Sequence, residues 1–102
     1  MGMSHATAVV DVAAAATDEI VAAVAGKVIT VHGFILCADT ASTLIAFKSA
    51  ATVISGTLRA AANGSLIAPV DHQGWYKTAP GEALNITSTT GATTGCIRYS
   101  VG

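Results

Sequence analysis

Lys27-Val28-Ile29-Thr30-Val31-His32-Gly33-Phe34-Ile35-Leu36-Cys37 is the stretch that decides the fold class. It is rich in β-branched and aromatic residues, and both alternating sets of positions are largely apolar. That pattern predicts a central strand covered on both faces. Asp39 and Thr40 break it, Thr43 to Lys48 forms the next strand, and Thr52 to Ile54 begins another that Ser55-Gly56 ends. Leu58 to Ala61 leads into Asn63-Gly64, a pair that accepts positive φ and predicts a two-residue hairpin turn into Ser65 to Ala68. Pro69 closes that strand, Asp71 to Gly74 is a polar loop before Trp75-Tyr76, and Pro80-Gly81 marks a turn. In Ala83 to Ser88, Leu84 and Ile86 share one face and Asn85 and Thr87 the other. Cys96 to Val101 places Ile97, Tyr99 and Val101 opposite Arg98 and Ser100.

Counted from the Ala6–Val12 run, these segments predict about eight short strands at fairly even spacing. The expected fold is a single all-β domain over residues 1–102, an antiparallel, jelly-roll-like β-sandwich, with residues 1–5 as a flexible N-terminus. One segment pulls the other way. Thr17-Asp18-Glu19 resembles a helix start and Gly26-Lys27 a helix end, with Ile20, Val21 and Val24 at helical spacing between them. A short isolated helix needs tertiary support and every flanking segment reads as β, so strand is favoured there.

Apolar residues make up 52% of the 102-residue chain and charged residues only 11%. A typical soluble domain carries roughly a quarter charged residues. Five basic and six acidic groups leave small neutral and hydroxyl side chains to form most of the exterior. Such surfaces are far less costly to bury than charged ones, which predicts a homo-oligomer. The net charge of −1, with no basic run, argues against direct nucleic-acid binding. Asp18 and Glu19 interrupt the Ala-rich segment, so no membrane span or membrane partner is expected. Met1 to His5 lacks the basic-then-apolar pattern of a secretory leader, and Ala6 stands where a myristoylation motif wants Ser or Thr. Synthesis in the cytoplasm follows as the expectation. Cys37 and Cys96 each lie in an apolar run, where buried free thiols are the default.

No enzyme chemistry is legible. His5, His32 and His72 have no second ligand at metal-binding spacing apart from Asp71 beside His72. No G-x-S-x-G elbow or phosphate-cradling Gly loop is present, and Glu82 reads as a surface charge. The expectation is no catalytic residue, no metal and no cofactor. Asn63-Gly64-Ser65 and Asn85-Ile86-Thr87 match the glycosylation pattern, but Asn63 reads as turn chemistry and Asn85 as an outward strand residue. The most distinctive local feature is Gly74-Trp75-Tyr76-Lys77-Thr78. Trp75 and Tyr76, with Asp71 and Gln73, are the candidate protein- or glycan-contact residues. The competing reading makes Trp75 a cap on the core, its N–H bonded to a loop carbonyl, in which case its truncation costs about 3–5 kcal/mol.

The stretch N-G-S-L-I-A-P from Asn63, then G-W-Y-K-T-A-P-G-E-A-L-N-I from Gly74, and the final G-C-I-R-Y-S-V resemble small virion structural proteins of tailed bacteriophages. The Ala23 to Val31 segment is similar to the earlier half of that pattern. The resemblance spans roughly residues 17–102. It implies a capsid decoration or cement protein, localised to the virion, that oligomerises, with a trimer favoured, and binds the major capsid protein or another virion protein. It leaves a tail or fibre component as an alternative, and a lectin-like module remains open from Trp75 and Tyr76. The family pattern carries no catalytic residues.

Overall fold

The computed structural model describes residues 5–102. Among them ten strands and no helix form two five-stranded antiparallel sheets packed face to face. The strands are β1 (Ala6–Val12), β2 (Ala16–Val21), β3 (Ile29–Ala38), β4 (Thr43–Ser49), β5 (Thr52–Val53), β6 (Leu58–Ala60), β7 (Ser65–Ala68), β8 (Tyr76–Lys77), β9 (Leu84–Thr89) and β10 (Thr93–Val101). The first sheet has the order β1-β10-β3-β7, with β8 also on β3. The second has the order β2-β9-β4-β5, with β6 also on β4. Because β1 to β4 alternate between the sheets and β9 and β10 return to the middle of each, the arrangement is the jelly roll expected from the pattern.

Alternation along the strands builds the core. Val10 and Val12 of β1, Phe34 and Leu36 of β3, Ile45 and Phe47 of β4, Leu84 and Ile86 of β9, and Ile97 of β10 all point between the sheets and are buried. Phe34, Phe47 and Tyr76 form an aromatic cluster in its middle, with Phe34 and Phe47 ring centroids 5.1 Å apart. Tilted contacts of this kind add to area burial because ring edges meet ring faces. The Ala16–Val21 segment is strand, paired with β9, as favoured over the helix. The sheet supplies the partners that a nine-residue Ala-rich helix would have lacked.

One detail differs from expectation. Asn63 has φ 57° and Gly64 follows it in a turn, but the turn does not close a hairpin. β6 pairs with β4 in one sheet while β7 pairs with β3 in the other, so Asn63-Gly64 carries the chain between sheets. Asn63 N–H donates to the Asp39 carbonyl and Ala38 N–H to that of Gly64, which fixes the crossover to the end of β3. The turn chemistry was legible and the partner strands were not. The flexible N-terminus expected over residues 1–5 falls outside the described residues except for His5, which stacks on His32.

β3 and β10 shift register between Arg98 and Tyr99, because Gly33 pairs with Arg98 and Val31 with Tyr99. His32 is the extra residue in this bulge, and the local twist turns its side chain to the outer face of the first sheet. Further along, Gly95 has φ 141°, and a Cβ there would lie 1.9 Å from the carbonyl oxygen of Ile35. β10 approaches β3 so closely at that point that only glycine fits.

Candidate functional site

The outer face of the first sheet holds every feature of interest, and it divides into a covered half and a bare half. The covered half begins at the bulge. His32 is buried; its Nδ1–H donates to the backbone carbonyl of Asp71 at 2.8 Å, which leaves Nε2 to accept from the Ser100 hydroxyl at 2.7 Å. The imidazole of His5 stacks on that of His32, and His72 lies beyond, 6.4 Å from His5 between centroids. Three histidines far apart in sequence thus meet at one spot. His5 has a lowered pKa, through partial desolvation against this surface and then through the nearby His32, Arg98 and His72. Both ring nitrogens of His32 are already committed, and no group of three His, Cys, Asp or Glu able to hold a metal ion is found among the described residues.

The loop that covers this half is bonded down along its length. Asp71 N–H donates to the His32 carbonyl, Trp75 N–H to that of Val31, and Asp71 Oδ1 accepts from Gln73 N–H. Gly74, at φ 85°, lies so close to Thr30 that a Cβ would fall 2.2 Å from its Cγ2. Trp75 and Tyr76 go to opposite faces. Tyr76 joins the core cluster with Phe34 and Phe47, whereas Trp75 stays 46% exposed on the loop with its Nε1–H donating to the Pro69 carbonyl. The expected carbonyl partner of Trp75 is present, but the ring is no core cap. Asp71 and Gln73 are exposed beside it.

The bare half is apolar where a monomer surface is ordinarily polar. Val9 pairs with Cys96, Cys96 with Ile35, and Ile35 with Ile67, so the four make one row across β1, β10, β3 and β7. Val9 is 78% exposed, Ile35 46% and Ile67 70%. Where the row meets the loop, a hollow of about 220 Å³ opens between Pro69 and Val70 on one side and Ile35, Ile67 and Cys96 on the other. Its walls are almost wholly apolar, with Arg98 the one charged group among them. β3 is therefore covered on both faces for only part of its length.

Cys37 and Cys96 are unbridged and half-buried on this outer face, not buried in the core as their apolar neighbours suggested. Cys37 lies opposite Thr94 and Cys96 opposite Ile35, a diagonal across neighbouring strands. Diagonal positions of a ladder stand about 7–8 Å apart, outside the reach of an unstrained bridge. Two other polar side chains make bonds that the sequence did not announce, although Asn85 keeps the outward strand position expected of it. Glu82 accepts a 2.5 Å hydrogen bond from the Ser49 hydroxyl and so helps anchor a loop. Asn85 donates from Nδ2 to the Ala50 carbonyl at 2.9 Å, while its Oδ1 is buried without a partner. Sequence reasoning missed the histidine cluster and the apolar row, since each gathers residues from separate strands or loops.

No family model and no curated protein matches the chain. A solved structure of Bacillus endospore appendages, described as a novel family of disulfide-linked pili, is similar in fold, with a TM-score of 0.55 and 18% identity. The likeness covers 98% of this chain and 86% of that one, so the whole sandwich is shared. This finding corrects the expectation of a capsid decoration or cement protein, and it does not favour the tail, fibre or lectin alternatives. The fold is matched over nearly its full length by a pilus protein, and the motifs that suggested the phage resemblance fall here on turns and on β7 to β10.

Proposed function

We propose that this chain is the structural subunit of a self-assembling, pilus-like appendage. The observation that carries the proposal is the fold shared with the spore appendage pilus over 98% of the chain. Three properties of the molecule support it. Charged residues are only 11% of the sequence, so contact surfaces can be buried with little desolvation cost. Val9, Ile35, Ile67, Val70 and Trp75 form apolar ground on the outer face, of the kind that marks interaction surfaces. β1 and β2 are sheet edges on the same side of the sandwich, and an edge strand presents unpaired N–H and C=O groups to a neighbour. Cys37 and Cys96 are unbridged within the subunit and so are free for a link between subunits of the kind described for those appendages.

The test is the mass and shape of the purified protein, followed by light scattering on a sizing column and by negative-stain electron microscopy. Multi-subunit assemblies growing into filaments with concentration are expected. A species that stays monomeric from micromolar to millimolar concentration, under reducing and oxidising conditions alike, overturns the proposal.

A further inference from the structure

We infer that the outer face of the first sheet docks a second copy of the chain about a two-fold axis running along the Val9–Cys96–Ile35–Ile67 row. The inference rests on the self-assembly reading and names one surface for it. Three features of this face fit a copy of itself.

The first is the row itself, apolar and exposed across the full width of four strands. Its strands lie about 4.8 Å apart, so the row is a continuous stripe and not scattered single residues.

The second is the shape of the ground on either side. On one side the loop from Pro69 to Trp75 rises above the sheet, bonded to the backbone of Val31 and His32 and carrying exposed Val70 and Trp75. On the other side the sheet is bare at Asp11, Thr94, Cys37 and Ser65, which pair in sequence across the same four strands. A two-fold axis along the row exchanges the two sides. The raised loop of each copy then lands on the bare floor of the other, which takes Val70 and Trp75 out of water.

The third is charge. Arg98 stands on β10 one step to the raised side of the row, opposite Thr7 and Gly33. Asp11 stands on β1 one step to the bare side, opposite Thr94. Both are exposed. The same rotation brings Arg98 of each copy over Asp11 of the other, with a lateral offset of about one strand spacing. Facing sheets are about 10 Å apart, a gap that an arginine and an aspartate side chain together span. Because the contact is isologous, the ion pair occurs twice. It also closes on itself, so filament growth proceeds through other surfaces, such as the β1 and β2 edges.

The experiment is a charge-reversal cycle read by sedimentation velocity on the full chain. Asp11→Arg alone and Arg98→Asp alone each place like charges face to face twice and weaken the pairing step about tenfold. The double reversal D11R/R98D restores it to within about threefold of the unaltered protein, since the attraction is re-formed with its signs exchanged. Ile67→Asp, at a position 70% exposed, weakens pairing about a hundredfold. A circular dichroism melt of each variant checks that the fold is kept. If the single reversals and Ile67→Asp leave assembly unchanged, this face is not the contact, while the self-assembly reading stands. Failure of the double reversal to restore pairing overturns the two-fold arrangement. An unaltered protein that is monomeric at every concentration removes both.

Discussion

The imidazole of His5 lies stacked on that of His32, with ring centroids 4.0 Å apart and planes inclined by 17°. His32 is fixed in place by Asp71 and Ser100, so it acts as a platform that holds the chain at the entrance to β1. Contact with this face desolvates His5, and the nearby His32, Arg98 and His72 further oppose a positive charge there.

That arrangement predicts a pH dependence. His5 has its pKa lowered in the folded state below the ordinary 6.5, so the unfolded chain takes up the proton more readily. Stability is therefore unaffected by this group above about pH 6.5 and falls as the pH drops below that value toward the lowered folded-state pKa. Thermal melts between pH 7.5 and 5 should show the decline, and His5→Gln should make it shallower. Equal slopes for the two proteins would mean that His5 does not sense pH.

Gly95→Ala should be among the most damaging single substitutions. A methyl there meets the Ile35 carbonyl oxygen at 1.9 Å, and the φ of 141° is itself unfavourable for a side chain. β10 and β3 must separate to accommodate it, at a cost on the order of 3 kcal/mol or more. Chemical denaturation measures the loss, and a midpoint shift equal to less than ~1 kcal/mol would show that the strands yield easily.

The aromatic residues should separate into two classes. Phe47→Ala removes a fully buried ring from the centre of the core and should cost about 3–5 kcal/mol. Trp75→Ala removes a half-exposed ring and one hydrogen bond to Pro69, and should cost about 1 kcal/mol in the isolated subunit. Denaturant midpoints of the two variants check the contrast. A larger loss at Trp75 than at Phe47 would reverse the assignment of core and surface.

Ala15→Gly should stabilise the protein slightly. Ala15 has φ 54° in the turn between β1 and β2, a conformation that disfavours Cβ. Relief of that strain outweighs the added freedom of the unfolded chain only narrowly, so the gain is on the order of 0.5 kcal/mol. A raised melting midpoint is the expected result, and a lowered one would show that the turn accepts alanine without strain.

Most of the strands were legible because alternation is local. Leu84 and Ile86, or Ile97, Tyr99 and Val101, declare their shared face within a few residues. What alternation cannot declare is which strands become neighbours. Asn63-Gly64 announced a turn equally well for a hairpin and for a crossover between sheets, and long-range pairing decided for the crossover. The same reason hid the site. Val9, Cys96, Ile35 and Ile67 are each unremarkable in their own strands and become a stripe only once β1, β10, β3 and β7 stand in that order. His32 reads in sequence as one residue of a central strand, and the bulge opposite Arg98 and Tyr99, invisible in sequence, turns it toward His5 and Ser100. The composition alone pointed past any single strand, to a surface made for contact.

The pairing of β1 with β10 also fixes how the subunit bears tension. Ala6 lies opposite Tyr99 in an antiparallel ladder, and the end of β10 is further tied by a reciprocal pair of hydrogen bonds between Val28 and Gly102. A pull applied between Ala6 and Val101 would therefore peel β1 away one rung at a time, each bond failing alone, while β10 stayed clamped by β3. A pull along opposite ends of neighbouring central strands would instead have to shear many bonds at once. The mechanical strength of anything built from this subunit thus depends on where neighbours grip it: a strong fibre needs them to load opposite ends of neighbouring strands, and to leave Ala6 and Val101, at one end of the sandwich, slack.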